Sequence, residues 1–140
     1  MSVESFFDTN VFIYQLDSTD KRKHRIADAL VRDALGANSA CISFQVVQEC
    51  LNVALRKAAV PLSPERARAY LDVVLLPLMQ VVPTAALYHR AIDLQQRWKF
   101  SFYDALIVAS ALTAGCTQLL TEDLQDGQRI EALTVRNPFS

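Results

Sequence analysis

Alternation is the feature of this sequence that most constrains its fold. Short apolar runs give way repeatedly to longer stretches whose apolar residues recur at helical spacing. Val3–Phe7 reads as a buried strand ending at Asp8, and Thr9–Leu16 as a short helix or turn. After the polar break Asp17–Asp20, a helix is expected from Lys21 to about Leu35, carried by Ile26, Ala27, Leu30, Val31, Ala34 and Leu35, with Gly36 as its C-cap. Ala40–Ser43 is a second strand. Gln45–Lys57 is a helix with Val46, Val47, Cys50, Leu51, Ala54 and Leu55 on one face. Ser63-Pro64-Glu65 starts another helix, running to about Leu76, because it places a cap, a first-turn proline and an acid in order. Met79–Val82, Gln118–Leu120 and Leu133–Arg136 read as further strands. Thr84 and Ser101 cap helices ending near Trp98 and at Gly115. Strands alternating with helices predict a parallel sheet of about five strands with helices on both faces. With 140 residues and no repeat or low-complexity segment, residues 1–140 are expected to form one domain.

Composition closes off several functional classes. Fourteen Lys+Arg against fifteen Asp+Glu leave a formal charge of −1, so bulk positive charge cannot attract a nucleic acid; local patches or metal ions must. Cys41, Cys50 and Cys116 lie in apolar stretches without metal-ligand spacing, which suits buried thiols in a reducing cytoplasm. The longest uncharged stretches, Val73–Tyr88 and Ala105–Thr121, are broken by prolines or polar residues and read as core, not membrane. Glu4 and Asp8 argue against a signal peptide. His24 and His89 lack metal-ligand spacing. No glycine-rich phosphate loop and no G-x-S-x-G elbow is present.

The acids are placed more informatively than they are numbered. Asp8 ends the first strand, Glu49 lies one turn into the helix after the second, and Asp123 follows the fourth. Open parallel sheets bind ligands beyond the carboxyl ends of their strands, the edge to which these three belong. Asp104 reaches the same edge if its helix begins there. Converging carboxylates repel, and stay ionised together only around a cation. Hard oxygen donors favour Mg²⁺ or Mn²⁺ over Zn²⁺, and an ion held this way commonly works on phosphates. Each acid also has an ordinary structural role open to it. Ser101 and Asp104 form an S-x-x-D capping box, Asp123 can cap the segment after it, and Glu49 can be a solvated helix residue. Two other phosphoryl-transfer classes fit less well. A D-x-D phosphatase would need an acid where Asn10 stands, and a receiver domain would need paired acids by the first strand and a lysine after Lys99.

Four blocks of sequence resemble a PIN domain, and more narrowly a VapC-type toxin ribonuclease. They are Phe6-Phe7-Asp8-Thr9-Asn10-Val11-Phe12-Ile13-Tyr14, Ile42 through Asn52, Phe102 through Ala111, and Leu119-Leu120-Thr121-Glu122-Asp123-Leu124. The resemblance spans nearly the whole chain. It implies a three-layer α/β/α sandwich and a Mg²⁺- or Mn²⁺-dependent endoribonuclease, the toxin of a type II toxin–antitoxin pair. It assigns Asp8, Asp104 and Asp123 to the main metal. Glu49 would complete the site directly, through water, or through a second ion. Thr9, Asn10, Ser43 and Thr121 match polar positions that orient the acids or the scissile phosphate; capping and turn bonding would explain them equally well. The pattern departs at Gln125, where many relatives carry a second acid. Either Asp126 substitutes, or the site keeps four acids. The implied partners are RNA, a cognate antitoxin and a second copy of the chain. A PIN-like module that binds RNA or protein without cutting is the alternative. For RNA contact, the sequence offers the basic groups Lys21–Arg25, Arg56-Lys57 and Arg97–Lys99, and the aromatics Trp98, Phe100 and Phe102.

Overall fold

A computed structural model describes residues 3–58 and 61–140. The first half of the chain runs β1 (Ser5–Phe7), α1 (Thr9–Leu16), α2 (Lys21–Ala37), β2 (Ala40–Ser43) and α3 (Phe44–Asn52). It continues with α4 (Pro64–Tyr70), α5 (Leu76–Leu78), β3 (Met79–Val81), α6 (Ala85–Trp98), α7 (Phe102–Thr113), β4 (Gln118–Leu120), β5 (Arg129–Ile130) and β6 (Leu133–Arg136). The sheet order is β3-β2-β1-β4-β6-β5. All pairings are parallel except β5 with β6. The expected α/β sandwich therefore stands, but the sheet has six strands and one antiparallel edge. Two-residue β5 is too short to carry a pattern; Gly127 (φ 83) and Glu131 (φ 55) supply the turns that fold it back on β6.

The strand order fixes where a ligand can sit. From β1 the chain winds outward through β2 and β3, then returns to lay β4 on β1's other side. The order reverses there, so the loops leaving β1 and β4 diverge and open a crevice at the carboxyl edge. Phe7 pairs with Leu120 at that edge, and the Asp8 N–H donates to the Leu120 carbonyl at 3.0 Å. The central strands are buried on both faces: Phe6, Cys41, Ile42 and Leu119 have no exposed surface. On the sheet packs α7, whose residues Ala105–Ala111 are all buried. That explains why its sequence lacks a polar stripe.

Two helices loosen as they end. After α3 the backbone widens into a π-type turn over Val53–Lys57, closed by the Ala58 N–H on the Val53 carbonyl at 2.8 Å. A similar turn over Leu71–Leu75 separates α4 from α5, just before Pro77, which has no N–H to continue the regular ladder. The three thiols are buried and free, and Cys41 and Cys116 lie 3.6 Å apart. Among the described residues no helix is long and apolar enough to cross a membrane.

One cap differs from expectation. Gly36 does not end α2. The helix continues through Ala37, and Asn38 takes the left-handed cap position at φ 54, ψ 42. Asparagine tolerates that conformation better than other non-glycine residues, so it displaces the cap by two positions. Gly36 is left in the last helical turn, with no atom within 4 Å of where a Cβ would stand. Gly36→Ala should therefore stabilise the protein, by roughly 0.5 kcal/mol, measured as a higher urea midpoint with an unchanged m-value.

Candidate active site

A cleft of about 310 Å³ opens at the reversal point. Asp8, Glu49, Asp104 and Asp123 all line it, with Thr9, Gln45, Asn52, Lys57 and Tyr103. Four separate segments deliver the acids. Asp8 directly follows β1 and is the N-cap of α1. Glu49 projects from α3 and Asp104 from the first turn of α7. Asp123 sits in the turn after β4.

A buried hydroxyl ties two of these segments together. Thr121 has no exposed surface, and its Oγ1 donates to Asp8 Oδ2 at 2.8 Å. The same oxygen accepts from the Asp123 N–H at 3.0 Å and from Asn10 Nδ2 at 3.3 Å. One donor and two acceptor sites use the hydroxyl fully. Asn10 Nδ2 also reaches Asp123 Oδ2 at 3.3 Å, and Thr9 Oγ1 donates to Glu49 Oε1 at 2.9 Å. Asp104 receives no such support at its carboxylate; its backbone N–H is capped by Ser101 Oγ at 3.2 Å. The capping-box reading is thus correct for Ser101, and the Asp104 carboxylate remains on the cleft wall.

Two expected supporting residues lie elsewhere. Ser43 Oγ is buried without a hydrogen-bond partner, makes no cap bond, and does not line the cleft. Asp126 Oδ1 accepts from the Asn137 N–H at 2.9 Å, so this carboxylate anchors the C-terminal segment and stands outside the cleft. The basic groups separate likewise. Lys23 pairs with Glu122 at 3.0 Å and Arg97 faces Glu131 at 3.9 Å, whereas Lys57 lies on the cleft.

Gln45, Asn52 and Tyr103 line the cleft and escaped the sequence reading, whereas Lys57 was already offered there as part of a basic group for RNA. Gln45, Asn52 and Lys57 share the cleft face of the Glu49 helix, at −4, +3 and +8 from it. That spacing was available in the sequence. Glu122 has a supporting role. It accepts from Tyr14 Oη at 2.5 Å and from Lys23 Nζ at 3.0 Å, locking the Asp123 turn to α1 and α2.

The electrostatics are those of a site short of positive charge. Burial pushes the Asp8 carboxyl up to about 7, against hydrogen bonds from Thr9 and Thr121 that lower it. The negative charges of Asp123 and Glu49 push it further up. Asp123 is also raised, first by desolvation, then by Asp104 and Glu122, with the Asn10 amide opposing. Among the described residues, no three Asp, Glu, His or Cys side chains are gathered closely enough to hold a metal ion as placed. The donors are nonetheless oxygen anions on one cleft, near enough to disturb each other's ionisation. Their chemistry fits a hard divalent cation that would draw them together.

The comparisons agree with this architecture. The family model described as "PIN domain" matches residues 5–129. No curated protein matches the sequence. Three solved structures share the fold. A toxin–antitoxin complex from Klebsiella pneumoniae is 23% identical, with TM-score 0.66 over 97% of this chain and 98% of that one. VapC20 of Mycobacterium tuberculosis, a sarcin–ricin-loop-cleaving toxin, is 22% identical, with TM-score 0.61 over 86% and 90%. VapBC2 from Rickettsia felis, bound to a promoter DNA fragment, is 18% identical, with TM-score 0.65 over 96% and 98%.

The raised Asp8 pKa has a consequence for stability. The unfolded carboxyl titrates near 3.8 and the folded one near 7, so between these values the folded state holds the extra proton. The stabilisation is present at low pH and lost as pH rises through that window. In chelator, the melting temperature should fall between about pH 4 and 7, and Asp8→Asn should flatten that fall. With its sheet order, its cleft and a family model matching most of its length, the chain belongs to the PIN-domain family.

Proposed function

We propose that this PIN domain is a divalent-metal-dependent endoribonuclease of the VapC toxin type, acting in the cytoplasm and held in check by a cognate antitoxin. One observation carries the reading: four carboxylates from four segments line one cleft, and burial pushes the most buried of them up to about 7. Asp8, Asp104 and Asp123 would hold the ion, and Glu49 would complete the site directly, through water, or through a second ion. Bound there, Mg²⁺ or Mn²⁺ supplies Lewis-acid polarisation of a phosphoryl oxygen and a more acidic water. The chain's own residues do the rest. Thr121 and Asn10 fix the orientations of Asp8 and Asp123, and Thr9 holds Glu49. Asp104, whose carboxylate carries no such bond, is free to turn toward the ion or the substrate.

The similar structures support the toxin part of this reading, because two are toxin–antitoxin assemblies and a third is a sarcin–ricin-loop-cleaving toxin. A homodimer accords with the same reading. One observation favours the alternative of a binding module that does not cut: the carboxylates are not already gathered at ligand spacing.

Purified protein with Mg²⁺ or Mn²⁺ should cut a mixed pool of structured and unstructured RNAs at discrete positions. Cutting should stop in EDTA, and fall by two orders of magnitude or more in Asp104→Asn. Asp126→Asn should cut as well as the wild type. Divalent ion should also raise the melting temperature at pH 8 in the wild type, and less in Asp8→Asn. Cutting that survives EDTA would refute the metal nuclease. A full absence of cutting and of ion binding would favour the binding module.

A further inference from the structure

Two of the three thiols meet, and the cleft uses neither. Cys41 sits in β2, and Cys116 in the connection between α7 and β4. In the sheet β2 and β4 flank β1, so the contact between the two residues spans the central strand. Their sulfurs stand 3.6 Å apart, with one thiol donating to the other. Cys50 is also buried but makes no such contact among the described residues. A buried thiol on its own is a small apolar side chain. A pair in contact is different, because a disulfide needs only about 1.5 Å of further closure. Parallel pairing with Phe6 holds Cys41 in the sheet. Cys116 lies outside any helix or strand, between exposed Gly115 (φ 77) and exposed Thr117, so the closure falls to its side. A small opening of that turn also brings Cys116 to solvent before Cys41. The hydrogen bond with Cys41 holds the Cys116 thiol below its usual value, against the burial that raises it, which makes Cys116 the better nucleophile.

We infer that Cys41 and Cys116 are a peroxide-responsive pair that closes to an intramolecular disulfide. The Cys116 thiolate attacks one oxygen of hydrogen peroxide and the O–O bond breaks. Sulfur becomes a sulfenic acid, and the departing hydroxide takes up the proton the thiol gave, as water. The Cys41 sulfur then attacks the sulfenic sulfur; the S–O bond breaks, and a second water leaves with the Cys41 proton. Each sulfur gives up one electron, and one peroxide is reduced to two waters. A dithiol reductant reverses the step by exchange, so a reducing compartment keeps the pair open. The position gives closure a consequence. The link clamps both flanks of β1, the strand that leads to Asp8, and its loop encloses α3 and α7, which carry Glu49 and Asp104. Cys116 follows the last turn of α7 and Asp104 lies in the first, so closure occurs at the end of the helix away from the cleft. A cross-link over so long a loop restricts the unfolded chain far more than the folded one. Oxidation therefore makes the fold harder to unfold. This holds whether or not the chain is a nuclease.

The test treats folded wild type, Cys50→Ser and Cys116→Ser with hydrogen peroxide, blocks the remaining thiols with iodoacetamide under denaturing conditions, and maps the links by mass spectrometry. The wild type should lose two thiols together, as a Cys41–Cys116 linked peptide within one chain. Cys50→Ser should do the same at the same rate, and Cys116→Ser should form no link at Cys41. If Cys116→Ser does not fold, the wild-type and Cys50→Ser maps decide. The urea midpoint should rise on oxidation and return in dithiothreitol. Wild type oxidised in urea is the reference, because loop-closure entropy there favours linking Cys41 to Cys50, the nearer in sequence. A folded chain that links Cys50, joins two chains, or carries Cys116 on to a sulfinic acid without linking overturns the inference. So does an unchanged thiol count in peroxide that oxidises the unfolded chain, or a Cys41–Cys116 link that lowers the urea midpoint.

Discussion

Everything at the carboxyl edge of this sheet depends on the burial of one charge. Asp8 follows the central strand, caps the next helix and lines the crevice where strand order reverses. Its backbone cannot move without breaking the parallel pairing of β1 with β4. The residue is 5% exposed, and its carboxyl lies close enough to Asp123 and Glu49 to feel their charges. Desolvation first, and then the like charges, push it up to about 7 against the hydrogen bonds of Thr9 and Thr121. A fold that buries an acid this way gives up stability at pH 7, a cost that a bound cation would offset.

The surrounding polar residues make sense as a response to that charge. Thr121 gives its only proton to Asp8 and spends its lone pairs on Asn10 and the Asp123 backbone. Removing that hydroxyl would leave a buried carboxylate with one fewer donor and two segments without their link. Glu122, Tyr14 and Lys23 form a second brace behind Asp123, with the Lys23 ammonium 4.7 Å over the Tyr14 ring. The catalytic reading and the structural reading of these residues are therefore complementary: the bonds that stabilise the loops also aim the acids.

Much of this was legible in the sequence, for identifiable reasons. The central strands read clearly because a strand buried on both faces leaves an unbroken apolar run, as in Phe6-Phe7 and Cys41-Ile42. The acids could be placed because chain direction alone assigns Asp8 and Asp123 to the carboxyl edge. Local chemistry misled at Gly36, where Asn38 outcompeted a glycine two residues earlier. At Asp126 the sequence left two readings open, and its proximity to Asp123 concealed the bond it accepts from the Asn137 N–H. Ser43 kept its predicted place at a strand end but turned its hydroxyl into the core. Tyr103 was not legible, because its neighbour Phe102 has the same aromatic character. Only the helix rotation decides which of the two packs against the core and which is left to solvent.

The central claim is that the four acids form one metal site. Anomalous diffraction from crystals soaked in Mn²⁺ at pH 8 tests it most directly. The account predicts a peak in the cleft within bonding distance of Asp8, Asp104 and Asp123 carboxylate oxygens, and its loss in Asp8→Asn crystals. No peak in the cleft, or a peak elsewhere with these carboxylates unmoved, would contradict it.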